Sequence, residues 1–272
     1  MFDGRAHAET GLRDHGGPDA LDPADPATRP IVLLHGLMGR GRTWRRQIPW
    51  LRRYGRVFTY DAAFHTGAEF HDAGDPDRAT ELSTDRFVAD LAEILTWIDQ
   101  GPAVLVGHSM GALHAWCAAA TYPELVSALV VEDMAPDFRG RTTANWTPWF
   151  ESWPDRFGSA EEAVAMFGPV AGRYFFEAFD EGRLHGRIPV WSAIAEEWGT
   201  RDFWAQWRAV KVPALLIEAE YTVTPPGQME QMSAVNERAQ HLRVPGAGHL
   251  VHDDSPHVYR GAVEAFLSGL DS

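Results

Sequence analysis

Residues 103–120 restrict the fold of this chain more than any other stretch. A short apolar run, Ala103 to Val106, leads into Gly107-His108-Ser109-Met110-Gly111, and an alanine-rich stretch follows from Ala112 to Ala120. A glycine two residues before and two after a serine, between a strand and a helix, has a steric reason. The serine takes a strained turn that lifts its hydroxyl above a sheet, and only small neighbours let strand and helix approach so closely. The start of the helix also points free N–H groups and a positive dipole end at that hydroxyl. The five-residue match recurs by chance, so an incidental glycine-rich turn is the alternative reading. The strand and helix on either side single this one out.

The same alternation runs through most of the chain. Apolar runs at Ile31 to Leu34, Arg56 to Tyr60, Ala128 to Val131, Ala214 to Glu218 and Gln240 to Val244 read as further strands. Thr43 to Tyr54 reads as a helix, with Trp44, Ile48 and Leu51 on one face. Phe87, Leu91, Ile94, Leu95 and Ile98 form an amphipathic stripe, with Ser83 or Thr84 as its cap and Gly101-Pro102 as its stop. A last helix begins at Ser255-Pro256 and carries Tyr259, Val263, Phe266, Leu267 and Leu270 on its apolar face. Near-continuous apolar strands alternating with helices predict an α/β fold whose mostly parallel central sheet is covered on both sides. Between Pro136 and Val210 that rhythm breaks, and seven of the eleven tryptophans fall there. The expected organisation is a lead-in over 1–29, an α/β core over 30–135 and 211–272, and a helical, aromatic-rich cap over 136–210.

Composition narrows the partners. A formal charge of -14, from 38 acidic against 24 basic residues, disfavours nucleic acid or an anionic membrane as partner. The single cysteine, Cys117, excludes an internal disulfide and reads as a core residue in a reducing compartment. No signal-peptide pattern and no membrane-length apolar run is visible, so a cytoplasmic location is expected. No metal-ligand cluster and no cofactor motif stands out. The expected ligand is a small apolar molecule, and the oligomeric state is left open.

With these elements placed, the chain resembles the α/β-hydrolase superfamily, in particular its capped, cofactor-independent esterase-like members. The resemblance spans Pro30 to Leu270 and rests on His35-Gly36-Leu37-Met38-Gly39, on Gly107 to Gly111, and on Pro245-Gly246-Ala247-Gly248-His249 with Pro256 beyond. It implies Ser109 as nucleophile, His249 as general base, and the backbone N–H groups of Leu37 and Met110 as an oxyanion hole. Two such donors matter because losing one typically costs about 3 kcal/mol of transition-state stabilisation. His252 reads as a surface residue, His35 as a turn stabiliser and His108 as buried beside the nucleophile or at the pocket.

The acid departs from the family pattern. Its usual position, Gly-x-x-Asp after the strand that follows the cap, here reads Ala219-Glu220-Tyr221-Thr222, so a threonine stands where the aspartate is expected. Neighbouring parallel strands are only about 4.8 Å apart, so an acid at the end of the preceding strand can reach the same histidine. That strand ends Glu132-Asp133-Met134-Ala135-Pro136, and some relatives carry their acid there. Successive strand residues point to opposite sides, so Asp133 and Glu132 cannot serve equally. Asp133 is favoured, Glu132 is second, and Glu218 or Glu220 third. The alternative is that the pair merely caps the turn that follows.

The segment after Asp61 departs as well: Phe64 and His65 stand where relatives carry Arg-Gly-His-Gly, and they are candidate pocket residues. Trp146, Trp149 and Trp153 are candidates for the pocket roof, against the alternative of a purely structural cap core. The sequence therefore predicts a Ser–His–acid hydrolase of ester, lactone or thioester substrates. C–C bond hydrolysis, cofactor-free lyase chemistry and a catalytically silent ligand-binding relative, the last kept open by Thr222, remain alternatives.

Overall fold

A computed structural model describes residues 11–18, 29–67, 82–141 and 143–270. Most of the 1–29 lead-in therefore lies outside the described residues.

Seven strands form one sheet in the order β1-β3-β2-β4-β5-β6-β7. They are β1 (Arg13–Asp14), β2 (Pro30–Leu34), β3 (Arg56–Thr59), β4 (Ala103–His108), β5 (Val126–Glu132), β6 (Ala214–Tyr221) and β7 (Ala239–Gly248). All pair in parallel except β1, a short edge strand antiparallel to β3. Each predicted strand is present, mostly one to four residues longer than its apolar run.

Period-2 alternation divides the core. Ile31, Leu33, Val104, Val106, Ala128, Val130, Leu215 and Ile217 pack on one face against Trp44, Leu51 and helix Pro256–Gly269. Their strand neighbours Val32, Leu34, Leu105, Leu129, Val131 and Leu216 pack on the other, against helices Thr84–Ile98 and Met110–Thr121. Both faces are apolar because both are covered, which is why the strands read as unbroken hydrophobic runs.

Helix Thr84–Ile98 follows its stripe, with the Ser83 hydroxyl accepting from the Arg86 N–H. It stops at Asp99, which takes a left-handed conformation (φ 47°), two residues before the expected glycine. The helix expected over Thr43 to Tyr54 is instead two short turns, Gly41–Trp44 and Ile48–Leu51. Pro49 explains the break, because its ring removes a helical N–H and clashes with the carbonyl four residues earlier. At Ser255 the expected side-chain cap bond is not formed, and a short helix, Val251–Asp254, precedes the final one.

Between β5 and β6 the described chain runs through five helices: Thr143–Glu151, Ala160–Phe167, Pro169–Ala178, Ile188–Trp198 and Trp204–Ala209. Residues of this segment, including Trp153, Phe157, Trp191 and Trp207, are buried and continuous with the core on the sheet face that carries helix Met110–Thr121. No helix among the described residues is long and apolar enough to cross a membrane.

Candidate active site

Ser109 sits between β4 and helix Met110–Thr121 at φ 52°, ψ −121°. A non-glycine residue in such a region costs about 1–3 kcal/mol and persists only where its surroundings over-determine it. They do so here. The Ser109 N–H donates to the Glu132 carbonyl of β5 (2.9 Å), and its own carbonyl accepts from Ala112 and Leu113. Neither flanking glycine can carry a side chain. A Cβ at Gly107 would lie 2.6 Å from the Ala112 backbone nitrogen, and one at Gly111 would lie 2.6 Å from the His35 carbonyl oxygen.

Asp133 also has a positive φ (46°) and is fully buried. One carboxylate oxygen, Oδ2, lies 2.6 Å from His249 Nδ1. The other, Oδ1, accepts from the Ala219 N–H (3.0 Å) and the Thr222 hydroxyl (2.7 Å). Thr222, the residue that replaces the expected acid, is thus a hydrogen-bond donor to Asp133. The Thr222 oxygen in turn accepts from the Thr224 N–H and lies 2.9 Å from the Thr224 hydroxyl. A carboxylate only accepts, so the Thr222 proton points to Asp133 and Thr224 donates to Thr222. His249, donating through Nδ1, keeps its Nε2 lone pair free.

Glu132, the alternative acid, meets a different histidine. Its carboxylate accepts from the His252 N–H (3.0 Å) and lies 2.8 Å from His252 Nδ1. Both groups are essentially inaccessible, so His252 is not the surface residue expected. Alternation along β5 accounts for the split. Glu132 shares the side of Ala128 and Val130, where the His252 ring stacks on Trp44 at 4.6 Å, while Asp133 shares the side of Leu129 and Val131. Glu218 and Glu220 are engaged elsewhere, by His241 and by the Gly246 N–H.

Leu37 and Met38 follow β2 on a turn bridged by the Gly39 N–H and Gly36 carbonyl. Three imidazoles brace this turn. His35 Nε2 accepts from the Ala62 N–H, His65 Nε2 accepts from the Met38 N–H, and His185 Nε2 lies 3.2 Å from the Gly39 carbonyl. Phe64 and His65 therefore sit behind the turn rather than at a pocket wall, with the Phe64 carbonyl accepting from Trp191 and the His65 ring stacked on it at 5.7 Å. Met110 is the first residue of its helix, where leading N–H groups have no intrahelical acceptor.

Ser109, His249, Leu37 and His108 open on one cavity of about 560 Å³. Trp146 and Trp149 line it; Trp153 does not, being packed on Phe167 (4.5 Å) and Phe175 (5.2 Å). His108 both touches the cavity and donates through Nε2 to the His249 carbonyl (3.0 Å). The sequence reading missed Phe138, Tyr174 and Trp198 of the wall, and Asp254. Local pattern carries no signal for them, since each reaches the site only through packing of the helical segment or of the short helix Val251–Asp254. Among the described residues lining the cavity there is no lysine or arginine, and Asp254 is the one carboxylate.

A model of the alpha/beta hydrolase family matches residues 31–262. The chain belongs to that family. It is 29% identical to the sn-1-specific diacylglycerol lipase of Mus musculus, across 89% of this chain and 82% of that one. It is 25% identical to the 2-(acetamidomethylene)succinate hydrolase of Mesorhizobium japonicum, across 92% of each. Among solved structures, that of E-2-(acetamidomethylene)succinate hydrolase superposes with a TM-score of 0.78 at 20% identity, covering 94% of both chains. The enol-lactonase of Burkholderia xenovorans superposes at 0.70 and 18%, covering 94% of this α/β hydrolase and 96% of its own chain.

Burial governs the protonation of several imidazoles inside the fold. It pushes His35, His65, His108 and His185 down from 6.5, and His114 down to about 3. For His252 burial pulls the same way, but the charge and hydrogen bond of Glu132 outweigh it and raise the pKa. The five lowered groups stay neutral in the fold and protonate readily once unfolded, so stability is lost as pH falls below about 6.5. The His252 contribution is present below about 6.5 and fades as pH rises through its raised value. His15 is lowered by burial as well, and six such groups against one make acid the damaging direction, so the thermal midpoint should fall steadily from pH 7 to pH 5 in calorimetry. A second expectation concerns the replaced acid. Thr222→Val keeps the shape but removes a donor to a buried carboxylate, and should cost about 1–2 kcal/mol in urea unfolding.

Proposed function

We propose that this α/β hydrolase cleaves an uncharged, ester-like small molecule through Ser109, His249 and Asp133. The observation that carries the proposal is the 2.6 Å approach of Asp133 Oδ2 to His249 Nδ1, on a histidine that opens on the same cavity as Ser109. His249 Nε2 takes the Ser109 proton as the hydroxyl oxygen attacks the carbonyl carbon. The resulting oxyanion is held by the N–H groups of Leu37 and Met110. The imidazolium, stabilised by Asp133, then protonates the departing alkoxide. Water, deprotonated by the same nitrogen, releases the acid and restores the serine. The helical segment 136–210 acts as a cap, roofing the site with Trp146 and Trp149.

The chemistry of the walls supports the substrate class. Aromatic and aliphatic side chains dominate, and Asp254 would repel an anion. One relative is named for a succinate derivative and another as a diacylglycerol lipase; the cavity favours an uncharged ester of the second kind.

Two measurements test this. A fluorophosphonate probe should label the wild-type protein and not Ser109→Ala, and Asp133→Asn should lower ester turnover by about 10⁴. An unlabelled wild-type protein would instead favour a silent ligand-binding relative. In a nitrophenyl ester series, kcat/KM for a pentanoate should exceed that for the anionic glutarate monoester of equal length by about 100-fold or more. Comparable rates for the two would refute the uncharged-substrate assignment.

A further inference from the structure

Glu132 is fully buried, carries a charge the proposed reaction does not use, and touches both halves of the site at once. Its backbone carbonyl accepts from the Ser109 N–H at 2.9 Å. Its carboxylate accepts from the His252 N–H at 3.0 Å and faces His252 Nδ1 at 2.8 Å. His252 lies three residues after His249, so the same carboxylate grips the segment that presents the base. The grip has further supports. The Gln47 amide donates to the His252 carbonyl (3.1 Å), and the His252 ring stacks on Trp44. His108, inside the elbow, donates to the His249 carbonyl. Consecutive residues at the end of β5 thus hold two histidines of one short segment: Asp133 takes the ring of His249, and Glu132 takes the backbone and ring of His252.

We propose that Glu132 and His252 are positioning residues for hydrolysis, fixing the His249 segment in the frame that also fixes Ser109. A carboxylate buried away from the reacting atoms costs desolvation free energy that a leucine would avoid. Its two bonds to His252 supply something an apolar side chain cannot, which is a directional anchor for a loop. Register matters because a displacement of about 1 Å between reacting groups can cost about 10²-fold in rate. Asp133 orients the His249 ring. Where the His249 backbone sits relative to the Ser109 elbow is set by the His108 bond to the His249 carbonyl together with the Glu132 side chain, which holds the segment at His252.

The inference rests on the Ser109–His249–Asp133 reading, and its test separates the two. Glu132→Gln should lower kcat by about 10- to 100-fold with KM within about twofold, and should slow fluorophosphonate labelling in parallel. The low-field proton resonance of His249 Nδ1–H, assigned by its loss in Asp133→Asn, should shift or broaden. Val263→Ala serves as the stability control, because it opens the apolar core on the same sheet face without touching the site. It should lower the melting temperature and leave kcat and the resonance unchanged. The double variant Glu132→Leu/His252→Phe replaces the pair with apolar side chains, a change often neutral for stability. It should fold and still be slow.

Full kcat with an unshifted resonance in either folded variant overturns the positioning role while leaving the hydrolase reading intact. Failure of both variants to fold makes the pair a stability element and overturns it equally. A wild-type protein that the probe does not label removes the underlying reading itself.

Discussion

The site depends on one fully buried carboxylate. Asp133 receives a backbone N–H from β6, a hydroxyl from the loop after β6 and an imidazole N–H from the loop after β7, all at 2.6–3.0 Å. A charge with so little access to water is tolerable only when its lone pairs are met by donors, and these three donors come from separate segments. The carboxylate therefore stitches β5, β6 and β7 together at the edge where Ser109 and His249 open on one cavity. Thr222 takes its meaning from this. An aspartate in its place would set a second negative charge against the first, whereas a threonine donates a proton to it.

The elbow obeys a constraint of the opposite kind. Ser109 is held in a strained backbone conformation by close packing rather than by charge, with Gly107 against the first turn of the following helix and Gly111 against the end of β2. The two constraints meet in Glu132, whose carbonyl fixes the elbow and whose carboxylate grips the segment carrying His249. Around this meeting point lie several buried imidazoles that burial keeps neutral. His35, His65 and His185 brace the turn that carries Leu37, each at a backbone N–H or carbonyl. A histidine can accept with one nitrogen and donate with the other, which suits it to a turn whose free backbone groups are of both kinds. That versatility lasts only while the rings are uncharged, which ties the shape of the Leu37 turn to the loss of stability expected in acid.

The elbow, the position of His249 and the strand pattern were legible in the sequence because each is local. Gly107 and Gly111 flank Ser109 within five residues, His249 follows its strand through a glycine-rich loop, and the alternation along β2, β4, β5 and β6 records two covered faces. The same period of two says that Asp133 and Glu132 cannot both face one histidine, but not which of them does. Where local rules competed, the reading failed. Pro49 broke a helix whose apolar stripe looked continuous, and Asp99 ended another before its glycine. The position of Phe64 and His65 after β3 suggests a pocket wall, yet their loop turns them behind the turn that carries Leu37.

Sequence alone determined the sheet, the strained serine and the set of carboxylates that one inter-strand spacing could bring to His249. Only the tertiary structure decided that Thr222 donates to Asp133, that His252 is buried on Glu132, and which tryptophans face the cavity. The physical reason is the range of the interactions. Strand alternation and an elbow are fixed by steric rules acting over a few residues. The partner of a buried charge and the wall of a cavity are chosen by segments about a hundred residues apart in the chain, and they meet only once the sheet has formed.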